Sequence, residues 1–346
     1  MNHLARCLLI SVAGVLVIAC GGTTPSDNIS DPTTSVATTV AEDTAVIDSS
    51  AGSPTGAIAQ AVASVPLSLP VSNQFENFDI TEASGVQRSL SLPGVYYVHN
   101  DSGASATLYV TDTTGQSLGQ LQLSGVQATD WEAIAGVRLS GQPHIVVADI
   151  GNNDRNRGDL NLQVIAEPDF SDLPINFNLS VESTQIGISY ADGLSYDAEA
   201  VFIDSDNDAV VVVTKNLSDT TAQSVWKGSL ASGLSDGAMV LEYRGLLAMP
   251  AKAFVNAVTD IDIHPDGRQL ALLVYGLATT GKIFLWQPSV GESTDDALLR
   301  MADREVSVPI IGSNRQAEGI SFSAQGDAFL IAAEGVSTST MTLVSF

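Results

Sequence analysis

The chain has 346 residues, 45% of them apolar, which is enough for a sizeable core. Only 15% are charged, and 39 acids stand against 14 lysines and arginines, for a net charge of −25. That balance excludes nucleic acid as a partner, because its phosphates would be repelled, and it favours cations, basic partners or a purely solubilising surface.

The first residues read as a targeting segment. Arg6 precedes an apolar run from Leu8 to Ala19, too short to span a bilayer and typical of a secretory signal. Val17-Ile18-Ala19-Cys20-Gly21-Gly22 resembles the lipobox of bacterial lipoproteins, with valine where leucine is usual. The resemblance implies a signal peptide over 1–19 and a lipid on Cys20, which would attach the protein to a membrane. With Gly and not Asp at the second mature position, it implies sorting to the outer membrane of a Gram-negative cell envelope. The alternative is an ordinary signal peptide with a chance cysteine. Cys7 and Cys20 are the only cysteines, so the mature domain has no disulfide and no cysteine-built zinc site. Residues 20–66 are rich in Thr, Ser, Ala, Asp and Pro and hold no aromatic residue. They are expected to form a disordered tether, because they bury too little apolar surface to offset ordering. A flexible chain of about 45 residues spans roughly 35–40 Å.

From 67 to 346 one phrase recurs, a carboxylate just ahead of an apolar strand. Its versions are Thr81-Glu82-Ala83-Ser84-Gly85, Trp131-Glu132-Ala133-Ile134, Ala198-Glu199-Ala200-Val201, Thr259-Asp260-Ile261-Asp262 and Ala317-Glu318-Gly319-Ile320. Five such units predict an all-β fold, a five-bladed β-propeller with four strands per blade. Blade one takes strands at 82–87, 95–98, 106–111 and 118–123. Blade two takes 131–139, 144–149, 160–165 and an outer strand at 177–188. Blade three takes 199–203, 209–214, 224–228 and 239–243. Blade four takes 260–263, 270–275, 282–286 and 305–311, with a short helix at 295–303. Blade five takes 318–322, 328–332 and 340–346 and is one strand short. The N-terminal segment 67–80 can supply that strand and close the ring. Six blades remain the alternative if the long tail of blade two hides a degenerate unit.

In a propeller the first strand of each blade lines the central channel. The phrase therefore predicts a ring of Glu82, Glu132, Glu199, Asp260 and Glu318 at one mouth. Five converging carboxylates cannot all stay ionised without a counter-charge, and oxygen ligands suit calcium or another divalent cation. The competing reading is that these acids hydrogen-bond to backbone N–H groups and pin blade to blade. Second strands end beside the ring and offer ligand-binding candidates in Asn100, Asp101, Asp149, Asn152, Lys215, Tyr275 and Glu334. Lys215 is either an internal counter-ion or an anion-binding group. The loop 151–159 adds Arg155 and Arg157, which either bind an anionic group or pair with local acids. Among four histidines only His99 falls near the mouth. Catalytic candidates are Glu132, Glu199, Lys215 and His99.

Other motifs do not survive inspection. Asp204-Ser205-Asp206-Asn207-Asp208 lacks the glycine and terminal glutamate of a calcium loop, and the same slot in other blades holds hairpin turns such as Pro265-Asp266-Gly267. Gly276-Leu277-Ala278-Thr279-Thr280-Gly281-Lys282 has phosphate-loop spacing, but Ile283 replaces Ser/Thr and a strand follows. No Gly-x-Ser-x-Gly occurs, so there is no nucleophile elbow.

Asn100-Asp101-Ser102-Gly103, Asp130-Trp131-Glu132-Ala133, Ala148-Asp149-Ile150-Gly151-Asn152-Asn153 with Arg157, and Asp197-Ala198-Glu199-Ala200 carry a resemblance. Together with Glu167-Pro168, Thr214-Lys215 and Asp260 with Pro265-Asp266-Gly267-Arg268, they are similar to exported bacterial propellers of the esterase-like phytase and NHL-type repeat groups. The likeness runs over roughly residues 75–340. It implies calcium and phosphate-ester hydrolysis in some relatives, although the clustered basic residues of a phytate site are scarce here. The expected function is a cell-envelope module that binds a small molecule or a protein at an acidic mouth. The alternative is a metal-dependent phosphoesterase, with Lys215, Arg155 and Arg157 holding the anion.

Overall fold

The computed structural model describes residues 56–58, 71–216, 222–249, 257–275, 281–308, 315–335 and 339–345. The expected signal peptide, the lipidation site Cys20, most of the tether, the loop 276–280 and the segment 309–311 lie outside them. No helix among the described residues is long and apolar enough to cross a membrane.

Strand β1 (Val71–Gln74) comes first. Blade one follows as β2 (Ala83–Arg88), β3 (Val95–Asn100), β4 (Thr107–Asp112) and β5 (Ser117–Leu123). Blade two has β6 (Trp131–Leu139), β7 (Gln142–Asp149), β8 (Asn161–Ala166), then β9 (Phe177–Val181) and β10 (Thr184–Tyr190). Blade three has β11 (Ala198–Asp204), β12 (Ala209–Thr214), β13 (Ser224–Ser229), helix α1 (Leu230–Asp236) and β14 (Ala238–Leu246). Blade four has β15 (Ala257–Ile263), β16 (Leu270–Tyr275), β17 (Lys282–Trp286), helix α2 (Thr294–Ala297) and β18 (Arg304–Ser307). Blade five has β19 (Arg315–Phe322), β20 (Ala328–Gly335) and β21 (Thr340–Ser345).

The strand order is that of a β-propeller. Each blade is an antiparallel meander, and the inner strands neighbour one another in the cycle β2, β6, β11, β15, β19 and back to β2. Among the described residues there are five such meanders. As the sequence predicts, β1 pairs antiparallel with β21 and completes the last of them, joining the two ends of the domain.

The core lies between blades. Five apolar clusters occur, each built from the facing sides of two neighbouring blades. A strand with both faces buried needs no polar alternation, which explains the run Ala209-Val210-Val211-Val212-Val213. Val210 and Val212 pack towards blade two, and Val211 and Val213 pack towards blade four.

Four differences separate the structure from the sequence reading. The single outer strand expected at 177–188 is two strands. β9 runs parallel to β5 of blade one, where the Phe177 ring fills the space that Gly119 leaves open. β10 then pairs with β8 and, in parallel, with β14, which fuses blades two and three into one eight-stranded sheet. The helix expected at 295–303 is one turn, Thr294–Ala297, capped by Ser293. Beyond it Arg300 is held to Glu292 and Asp303, and its carbonyl accepts from Trp286 Nε1. Ile58, within the expected tether, is fully buried with Phe170 and Phe177 between blades one and two. α1 had no counterpart in the sequence reading; Ser229 caps its start and Gly237, at φ 71°, ends it.

Polar pins cross the blade interfaces. Arg88 in blade one donates to Asp262 of blade four at 2.6 Å, and Asp262 also accepts from Phe322 N and Ser321 Oγ of blade five. Both members of this ion pair are almost fully buried, at 7% and 6% side-chain exposure. Removing one partner strands a buried charge, which typically costs about 3–5 kcal/mol. Arg88→Ala is expected to lower the urea-unfolding stability by that amount; a loss below about 1 kcal/mol would show that the pin is dispensable.

Candidate functional site

Every inner strand carries a β-bulge at the same place. In β2 the pairs Ala83↔Asn100 and Gly85↔His99 leave Ser84 unopposed. The same skip leaves out Glu132 in β6, Glu199 in β11, Thr259 in β15 and Glu318 in β19. A bulge inserts one residue without a partner and re-aims its side chain. The true equivalents are therefore Ser84, Glu132, Glu199, Thr259 and Glu318.

This register decides which expected residues meet. Glu132, Glu199 and Glu318 line one cavity of about 130 Å3 together with Glu82, Asp101, Lys215 and Glu334. Ser84, Asn153 and Gln316 complete its polar wall. Glu82 precedes its bulge by two residues, so it keeps the same face and borders the mouth. Asp260 follows its bulge by one residue, and a one-residue slip turns a side chain to the other face. It is fully buried, and its carboxylate accepts from Ile261 N and Ile320 N at 2.8 Å. It is a pin between blades four and five and does not line the mouth.

Six carboxylates face one ammonium in this cavity. Lys215 Nζ pairs with Glu199 Oε1 at 2.5 Å. Burial costs Lys215 some of its proton affinity, but the surrounding charges of Glu199, Glu318 and Glu132 more than restore it, so its pKa is raised. Burial is also the main cause that lifts the acids. Glu132 is pushed well above the usual carboxylate range by burial and then by the charges of Glu199 and Asp101. Glu199 moves up for the same first reason, restrained by Lys215. Glu318 is pushed to about 8 by burial and by Glu199. Burial likewise raises Tyr275, which feels the charges of Glu318 and Glu334 from beside the cavity.

The tightest group lies between blades one and two. Carboxylate oxygens of Asp101, Asp130 and Glu132 all lie within 4.8 Å of one another. Burial and the charge of Asp101 push Asp130 to about 6. Gly151 makes the convergence possible, since a Cβ there would stand 2.4 Å from both Asp130 Oδ2 and Glu132 Oε1. The Gly151 N–H in turn donates to the Asp130 carbonyl at 3.1 Å. Asp130 directly precedes the repeat phrase and was not among the expected ligands. Its separation of two residues from Glu132 was the available signal, because residues i and i+2 share a strand face.

The remaining candidates build the walls. Asn100 accepts from Glu82 N and donates to Asp79 O. Asp149 accepts from Thr129 N, Asp130 N and Arg157. Asn152 accepts from Asn156 N and Arg157 N and donates to Ser195 Oγ, folding the loop 151–159 back on itself. Arg157 is engaged by Asp149, Asp159 and Gly151 O. Arg155 is exposed, at φ 51°. His99 is fully buried behind the mouth, edge-on to Trp131. Its Nδ1 contacts Asn100 O, and burial lowers its pKa to about 4, so the ring is neutral. The Asp204 carboxylate accepts from Asn207 N, Asn207 Nδ2 and Thr294 Oγ1, as a turn-forming residue does.

No protein-family model matches the sequence. No curated protein matches it either. Similar solved structures include the periplasmic gluconolactonase of Pseudomonas aeruginosa, at 14% identity and TM-score 0.38, covering 77% of this chain and 68% of that one. Hydrazine synthase of Kuenenia stuttgartiensis gives 14% identity and TM-score 0.37, covering 72% and 61%. The Dos1 propeller gives 12% identity and TM-score 0.34, covering 73% and 53%. This chain thus spans less than two thirds of the length of the last two.

The raised acids set a pH dependence. Glu318 ionises near 8 in the folded chain against an ordinary 4.5, so the folded state binds the extra proton between those values. Its contribution to stability is full below about pH 4.5 and is lost as pH rises to about 8. In metal-free buffer, Glu318→Gln is expected to flatten the fall of the urea midpoint between about pH 5 and 8. An unchanged slope would mean that Glu318 ionises as an ordinary carboxylate.

Proposed function

We propose that this chain is an exported, lipid-anchored five-bladed propeller of the cell envelope that binds a ligand or partner through a divalent cation at its acidic mouth. The observation that carries the reading is the convergence of Asp101, Asp130 and Glu132. Three carboxylates offer oxygen ligands only, the donor set of a hard cation such as calcium. A cation there would offset the burial and the neighbouring charges that raise the proton affinity of Asp130 and Glu132. The polar wall of Asn153, Gln316 and Ser84 leaves room beside it for the oxygen groups of a small ligand or a partner side chain. Envelope placement rests on the N-terminal apolar run and Cys20.

Binding is favoured over phosphoester hydrolysis by the state of the basic groups. Lys215 is committed to Glu199, and Arg157 to Asp149 and Asp159. Neither is poised to hold a phosphate dianion, which leaves the exposed Arg155 alone of the three expected anion-holding groups.

Millimolar calcium is expected to raise the melting temperature, since a ligand at a hundred times its Kd adds about 2.7 kcal/mol. Asp130→Asn with Glu132→Gln is expected to abolish the shift while leaving a folded protein. No shift in the wild-type chain would sink the cation site. Calcium-dependent turnover of any phosphate ester that disappears in Glu132→Gln would replace the binding reading with the phosphoesterase.

A further inference from the structure

A second feature opens at the same end of the channel, on the outer half of blade three. Residues 191–197 lead into β11 at the Glu199 end. The chain leaves β12 there through Lys215 and Asn216. Between these segments and the end of β14 lies a groove of about 680 Å3. Its floor is Trp226, 2% exposed and fixed by a 2.8 Å bond from Nε1 to Ser224 Oγ. Tyr196 and Tyr243 each stand 5.2 Å from the Trp226 ring, inclined to it by 42° and 65°. Tyr190, buried beneath, locks both Tyr196 and Trp226 edge-on at 4.9 Å. Tyr243 and Leu246 are each 53% exposed.

The groove is charged with one sign. Asp192 and Glu242 line it, and among the described residues no lysine or arginine does. Asp192 also accepts from the Tyr196 hydroxyl at 2.7 Å, which orients that ring. The charge of Arg155, on the neighbouring loop and outside the lining, acts on Tyr196.

We propose that this groove is a binding site for a quaternary alkylammonium group, such as the trimethylammonium of choline. The face of an aromatic ring attracts a cation through its quadrupole, and a weakly hydrated, methylated cation gives up little water on entering. Rings inclined to one another surround a compact group, whereas a flat sugar ring needs a coplanar platform. The two carboxylates supply long-range attraction without requiring a hydrogen-bond donor on the ligand. This site is independent of the cation site at the mouth.

The test is calorimetric titration of the full chain with choline chloride and with 3,3-dimethylbutan-1-ol, its uncharged analogue, at fixed ionic strength. Choline is expected to bind and the alcohol to bind much more weakly. Tyr243→Ala, at a half-exposed position, should weaken choline by about threefold to tenfold while the chain keeps its cooperative thermal unfolding. Arg155→Gln should tighten it, since a like charge is removed. Equal binding of choline and the alcohol would overturn the proposal, and so would choline binding that Tyr243→Ala leaves untouched. Co-sedimentation with phosphatidylcholine vesicles, but not with phosphatidylglycerol vesicles, would identify a lipid headgroup as the source; choline binding without co-sedimentation would identify a free solute.

Discussion

One unpaired residue in each inner strand governs the centre of this molecule. The bulge leaves Ser84, Glu132, Glu199, Thr259 and Glu318 unopposed while the residues on either side keep their ladder partners; four of the five line the mouth, and Thr259 Oγ1 donates to Ala317 O of the next blade. Backbone crowding follows from the same geometry. A Cβ on Gly319 would stand 2.8 Å from Val86 N, and one on Gly85 would stand 2.3 Å from His99 Nε2. The position after the bulge is accordingly glycine or alanine in four blades. In blade four it is Asp260, whose carboxylate reaches the neighbouring backbone and replaces missing packing with two hydrogen bonds.

A ring of like charges is a destabilising element, and the rest of the propeller holds it in place. The five inter-blade cores supply the attraction, and polar pins fix the rotation of one blade against the next. Arg88 reaches past blade five to tie blade one to blade four, and Thr294 Oγ1 ties the α2 insertion of blade four to Asp204 of the adjacent blade three. Glu167 of blade two accepts from Leu90 N, Ser91 N and Ser89 Oγ of blade one. With each blade fixed on two sides, the carboxylates cannot relax apart. Their burial, with mutual repulsion added to it, appears as raised proton affinity.

The loops at the mouth end do two jobs. The segment 151–159 clamps itself with Asn152 and Arg157 and so presents Gly151 to Asp130 and Glu132. Asn152 N also donates to Asp197 of blade three, which positions the start of β11. Through Tyr196, the residue before Asp197, the acidic mouth and the aromatic groove share one short piece of chain.

Composition, the five-fold phrase and the apolar runs determined the fold class, the order of strands and the closing role of the N-terminal strand. These are properties of local pattern: a strand buried on both faces announces itself by continuous Val, Leu and Ala, and a hairpin by Gly, Asp and Asn. The acids of three inner strands, and Lys215 beside them, were legible for the same reason. Register was not. Aligning Glu82 and Asp260 with Glu132 rests on residue type, whereas the ladder aligns Ser84 and Thr259, because the bulge is set by the partner strand's hydrogen bonds. The crossing of β9 to blade one, the parallel joint of β10 with β14 and the meeting of Asp101 with Asp130 lie between segments far apart in sequence. Pairings of that kind depend on the close packing of whole blades, which no window of sequence contains, so only the tertiary structure decided them.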